Sequence, residues 1–237
     1  MVDLDATARE FGQYVARGFT AVKGGWGKTP ETAFGLDADR DLLFVEKVRE
    51  AIGKNVAFMV DVGTHVKWNV AHAIKMTRKF QEYDIYWIEE PLPPDDFRGH
   101  LQLREAIHTM IATGEKESTM QGFKRILECG IADVIMPDVG KAEGITGTKQ
   151  VIEEAALHHV RYNPHSWSSA VNTAASLHLC ASASNTILFE LKPNPNPMQH
   201  ELVEKPIEQV NGYVEVPHEP GLGVMIREDI VQKYLFD

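Results

Sequence analysis

Short, largely apolar runs separated by amphipathic helical stretches restrict this chain to an α/β fold. The runs FTAVKGG (19–25), VAFMVD (56–61), IYWIEE (85–90), TMIATGE (109–115), ADVIMPD (132–138), VRYNPH (160–165) and TILFELK (186–192) are the strand candidates. Their apolar residues fill consecutive rather than alternate positions, as in a parallel sheet covered on both faces. The stretches between them have helical spacing. Ala8, Phe11 and Val15 share one face ahead of Gly18, and Val70, Ala73, Ile74 and Thr77 share another. The segments 37–53 and 118–130 each close on Gly, and Ser118 suits an N-cap for the second. Further helices are expected at 97–107, 145–159 and 169–183. Such alternation fits a (β/α) barrel or a doubly wound sheet. No G-x-G-x-x-G follows the first strand and no Walker A motif occurs, which disfavours a nucleotide fold.

A chain of 237 residues with 43% apolar content can build one barrel-sized core. Its formal charge of −10 argues against nucleic acid as a partner. Cys129 and Cys180 fall in expected helices without metal-knuckle spacing and read as reduced, buried thiols of a cytoplasmic protein. No apolar run is long enough to span a bilayer, and no basic–apolar leader opens the chain, so a soluble protein with no membrane partner is expected. Residues 1–192 are read as the β/α body. Residues 193–237, rich in Pro, Asn and Gly, are read as an irregular tail of the same domain, with short strands around Tyr213–Val216 and Gly223–Ile226.

The strand ends carry the chemistry. Lys23, Asp61, Glu89 with Glu90, Glu115, Asp138, His165 and Glu190 each terminate one run. In a barrel, all C-terminal strand ends open on the face where active sites lie. Polar residues marking an exit to solvent would account for a few of these positions, scattered by register. In WIEEP (87–91) the apolar residues push Glu89 to the strand tip and Pro91 stops the run. A carboxylate there needs a metal, a cation or solvent. Asp138 after Pro137 also suits a turn, and His165 a cap or core position. His65 and His100 are read as loop residues bordering the site, and Trp26 in GGWG as a site wall or loop anchor.

Taken in order, VD (60–61), WIEEP (87–91), TGE (113–115), MPDVGKAEGITG (136–147), PH (164–165) and FEL (189–191) resemble the enolase superfamily, and within it the mandelate racemase (mandelate racemase/muconate lactonizing enzyme-like) subgroup. The resemblance implies a TIM-type (β/α)7β barrel and a Mg²⁺ ion held by Asp61, Glu89 and Glu115, with Glu90 behind them. Three oxygen donors suit that hard cation. It also implies His165 as base, Asp138 as its partner, Glu190 facing the substrate carboxylate as a hydrogen-bond donor, and Lys141 near the site. The implied chemistry is α-proton abstraction from a carboxylate through a metal-stabilised enediolate.

Two departures refine the expectation. Racemases of this subgroup carry K-x-K at the second strand; here Lys23 is present but Gly25 replaces the second lysine. Without a base on the opposite face, a dehydratase is favoured: one histidine takes the α-proton and returns a proton to the leaving β-hydroxyl, while Lys23 clamps the carboxylate. The implied enzyme is a hydro-lyase acting on a sugar acid (an aldonate). Alternatives are a racemase, epimerase or cycloisomerase of the same superfamily, or a catalytically silent barrel piece. The second departure is Gly63, where the subgroup usually has Asn. The resembled barrel also has a strand ahead of the Asp3–Gly18 helix and an α+β capping domain. The reading is therefore strands two to eight only, with the gap closed by a preceding segment, a second polypeptide or homo-oligomer contacts.

Overall fold

The structure, a computed structural model, describes residues 3–27, 34–63 and 65–235. Those parts of the expected body and tail that fall at 1–2, 28–33, 64 and 236–237 lie outside the described residues. Helices alternate with strands, and six parallel strands follow one another in the sheet in chain order. The chain divides into two compact units, one running to Thr113 and including Cys129–Val134, the other comprising Gly114–Glu128 and the residues from Ile135 onward.

The first unit contains α1 (Leu4–Ala16), β1 (Ala21–Gly24), α2 (Ala38–Ile52), β2 (Ala57–Asp61), α3 (Val70–Gln81), β3 (Ile85–Glu89), α4 (Phe97–Ala106) and β4 (Met110–Thr113). Side chains cap all four helices: Asp3, Asp37, Asn69 and Asp96 each accept a backbone N–H from the first turn. The strands pair in parallel, and the register sets Asp61 opposite Glu89. Phe58, Val60 and Ile88 from the strands pack with Val45, Val48, Met76, Phe80 and Leu103 from the helices, all essentially without solvent contact. Besides Glu89 and Glu90 at the end of β3, this unit buries a third acid. Asp41, in the first turn of α2, is buried and accepts the Gly35 N–H at 2.8 Å, while the Trp68 indole donates to the Gly35 carbonyl at 2.7 Å. Burial pushes the Asp41 carboxyl up to about 7, against the opposing pull of the Gly35 N–H.

Of β5 (Val134–Ile135), the first residue belongs to the first unit and the second to the other. The second unit contains α5 (Met120–Glu128), α6 (Gly144–Leu157), β6 (Arg161–Tyr162), α7 (Ala170–Ser182), α8 (Pro197–His200), the hairpin strands β7 (Gln209–Val210) and β8 (Tyr213–Val214), and α9 (Glu228–Lys233). The hairpin turns on Asn211-Gly212, both at positive φ, the combination a tight two-residue turn demands. Ile207, Phe189, Leu191, Val214 and Val224 pack against Ala174 and Leu177 of α7.

Several expectations are corrected. The 132–138 and 160–165 runs form strands of only two residues, because Pro137 and Pro164 bring no N–H to a ladder. The 186–192 run is not a regular strand; Thr186 makes a single parallel bridge to Tyr162. In the tail, Ile226 bridges Val203 rather than extending a strand from Gly223. The cap of α5 is Thr119, whose hydroxyl accepts the Gly122 N–H, and not Ser118. Cys129 is exposed just past α5, whereas Cys180 is buried in α7. His100 belongs to α4 and is buried, with Nδ1 2.9 Å from the Asp96 carbonyl, so it borders no loop.

Candidate functional site

In the first unit, three strand ends bring their ionisable groups together. β1 delivers Lys23, β2 delivers Asp61 and β3 delivers Glu89. The Lys23 ammonium lies 2.5 Å from Glu89 Oε1 and 3.9 Å from Asp61 Oδ2. The Glu89 side chain is fully shielded from solvent. Its second oxygen, Oε2, accepts the Trp87 indole N–H at 3.0 Å. Glu90 turns out of the strand at φ 46°, accepts the Thr113 hydroxyl at 2.8 Å and is buried. A non-glycine residue in that region is strained, and such strain collects where function fixes the backbone.

The two glycines singled out in the sequence have structural reasons. Gly25 has φ 129°, and a Cβ placed there would meet the Asp61 carbonyl oxygen at 2.4 Å. No side chain, lysine included, leaves this backbone at position 25 without displacing β2. Gly63 has φ 71°, and a Cβ there would meet the Trp26 ring at 2.3 Å. The Trp26 ring therefore takes the space a larger residue at 63 would need, and it also makes an edge contact with His65. Trp26 and His65 are both exposed.

The second unit gathers the other group. His165 Nδ1 lies 2.7 Å from Asp138 Oδ2, and its Nε2 lies 3.4 Å from Glu115 Oε2. Asp138 is buried and also accepts the Gly140 N–H and the Asn172 amide, each at 2.8 Å. Burial alone would raise its carboxyl, but the His165 contact, the Gly140 N–H and the Asn172 amide outweigh it and hold the group below its usual value. Glu115 is paired with the neighbouring Lys116 ammonium, and Lys141 Nζ donates to the Glu115 backbone carbonyl at 3.3 Å. Glu190 accepts the Ser166 N–H at 2.6 Å. Lys192, buried, donates to the Trp167 carbonyl at 2.5 Å and lies 5.0 Å from the centroid of that ring. Burial lowers its pKa, opposed by the charge of Glu190.

Sequence reading missed Trp87, Asn172 and Lys192. Trp87 and Lys192 each stand two residues from a strand-end acid, so alternation along an extended chain would have flagged them. Asn172 reaches Asp138 across 34 residues of sequence, and nothing local announces it.

Among the described residues, no group of three or more His, Cys, Asp or Glu side chains is arranged as a ready-made metal centre. The donor chemistry nevertheless fits a hard cation. Buried Glu89 and its neighbour Asp61 already face a positive charge, that of Lys23, and Glu115 faces that of Lys116. Among the described residues, no helix is long and apolar enough to cross a membrane.

Parallel βα elements, with carboxylates and a lysine at strand ends of the first unit and an Asp-paired histidine in the second, define an α/β protein. Comparison specifies the family: the chain belongs to the Enolase C-terminal domain-like family, whose profile matches residues 6–230. It is 29% identical over 235 residues to D-galactarolactone cycloisomerase of Agrobacterium fabrum, covering 96% of this chain and 60% of that protein. It is 31% identical over 212 residues to L-rhamnonate dehydratase of Saccharopolyspora erythraea, covering 86% of this chain and 52% of that one. Among solved structures, the 3,6-anhydro-D-galactonate cycloisomerase of Zobellia galactanivorans superposes with a TM-score of 0.90 at 32% identity, over 99% of this chain and 64% of that one. A racemase of Streptomyces coelicolor A3(2), described with bound magnesium, gives 0.84 at 25% identity, over 98% and 59%. The chain thus spans less than two thirds of the length of these proteins.

Proposed function

We propose that this chain carries the catalytic groups of a Mg²⁺-dependent sugar-acid dehydratase. The observation that supports the reading most is the 2.7 Å contact between His165 Nδ1 and Asp138. It keeps the proton on Nδ1 and leaves Nε2 as the basic nitrogen. Asp61, Glu89 and Glu115 would hold the cation, with Glu90 behind them. When bound, magnesium supplies Lewis-acid stabilisation of negative charge on the substrate carboxylate. His165 Nε2 removes the α-proton. The resulting imidazolium, on the same face, returns a proton to the β-hydroxyl, which leaves as water. The enol product then tautomerises to a 2-keto-3-deoxy acid. Lys23 steadies the carboxylate, Glu190 and Lys141 border the reacting groups, and Trp26 and His65 contact the distal part of the substrate. Gly25 supports elimination over racemisation, since no base projects from that position.

The test is a panel of aldonates incubated with the full-length protein and Mg²⁺. A 2-keto-3-deoxy product is expected, and His165→Asn should abolish it. If no sugar acid loses water, the dehydratase reading fails. Cycloisomerisation is the second reading, favoured by the similarity to two cycloisomerases. Mass spectrometry separates the two readings, because an isomerised product keeps the mass of its substrate and a dehydrated one loses one water.

A further inference from the structure

We propose that Trp87 is a positioning residue for the cation centre: its indole N–H fixes Glu89 Oε2 and leaves Oε1 as the oxygen that meets a divalent cation. The inference rests on the proposed metal role of Glu89 and adds which oxygen is used and what selects it. Trp87 and Glu89 are two residues apart on β3, so their side chains leave the strand on the same side. Both are buried, Trp87 at 1% exposure and Glu89 at 0%. The carboxylate meets different partners at its two oxygens. Oε2 takes a neutral donor at 3.0 Å, and Oε1 takes the Lys23 ammonium at 2.5 Å.

Three properties of the indole suit it to this task. It donates and cannot accept, so the carboxylate cannot be offered the wrong group there. Its ring is locked by packing, so rotating Glu89 would leave a buried N–H without a partner. It is neutral, so it orients the acid without cancelling the charge a cation needs; a lysine or arginine in its place would compete with the ion. Groups that orient a ligating carboxylate in this way tune affinity for the metal without touching it.

The experiment measures Mn²⁺ binding by calorimetry, with Mg²⁺ competition, on full-length wild type and Trp87→Phe, which keeps an aromatic ring in the core and removes the five-membered ring with its N–H. The expected result is a loss in affinity of about 10–100-fold for Trp87→Phe. Equal affinity in the two proteins overturns the inference while leaving the metal reading intact. Failure of wild type itself to bind Mn²⁺ overturns the metal reading and the inference together. Should Trp87→Phe not fold, the ¹⁵N-indole resonance of Trp87 in the wild-type protein serves instead. It should shift on Mg²⁺ titration with the same midpoint as binding, and an unmoved resonance at saturating metal overturns the proposal.

Discussion

Replacing Gly25 by alanine adds one methyl group in the worst available place. Two separable costs follow. The backbone at φ 129° disfavours any L side chain, a strain of about 1–3 kcal/mol. The new Cβ would also stand 2.4 Å from the Asp61 carbonyl oxygen, far inside contact distance, so β2 must shift at its tip. Forcing an extra methyl into a packed site costs about a further 1–3 kcal/mol. The sum is about 2–6 kcal/mol. At about 2–4 °C per kcal/mol for a chain of this length, Tm should fall by about 4 °C or more. Gly53 supplies the control. It ends α2 at φ 75°, but a Cβ there meets nothing within 4 Å. Gly53→Ala therefore bears only the backbone term. Scanning calorimetry of the two variants beside wild type isolates the steric part. If Gly25→Ala melts no lower than Gly53→Ala, the claim that β2 bars a side chain at position 25 is wrong, and with it the argument against a base on that face.

Two further perturbations test the buried charges. Asp41 ionises near 3.8 when unfolded and at about 7 in the fold. Between those values the native state holds a proton the unfolded chain has lost, so stability should fall as pH rises from about 4 to about 7, by at most about 4 kcal/mol. Asp41→Asn should flatten that slope; urea midpoints at pH 5 and pH 8 that differ equally in wild type and variant would count against it. Lys23→Met strips the ammonium from buried Glu89 and should destabilise by about 3–5 kcal/mol, with millimolar Mg²⁺ restoring part of the loss. An unchanged Tm that ignores Mg²⁺ would show that the pair contributes nothing.

The helices are largely legible because their apolar faces are local. The Ala8–Phe11–Val15 and Ala73–Thr77 faces announce themselves within two turns, whereas the caps Asp3 and Asn69 emerge only in the structure. The apolar strands β2 and β3 were equally plain. Near Pro137 and Pro164 the apolar runs predict longer strands than form, because neither proline brings an N–H to a ladder. The 186–192 run misled for another reason: strand pairing is a property of the partner, and Tyr162 offers a single bridge. Asp61 and Glu89 lie where the sequence puts them, at the ends of β2 and β3, since strand polarity fixes which end they occupy. What they touch could not. The Asn172 amide on Asp138 and the Asn211-Gly212 turn show the two extremes, one a contact across distant sequence and the other a turn written in a single dipeptide.

The ammonium pressed against the innermost carboxylate gives this chain an internal placeholder. Domains organised by structural zinc collapse when their ion is withdrawn, because nothing else neutralises the ligands. Here Lys23 does so from within the first unit. On the proposed magnesium reading, the polypeptide closes without waiting for an ion, and a chelator should strip the cation while leaving the architecture standing. Loading then becomes a late, reversible exchange in which one positive group yields to another.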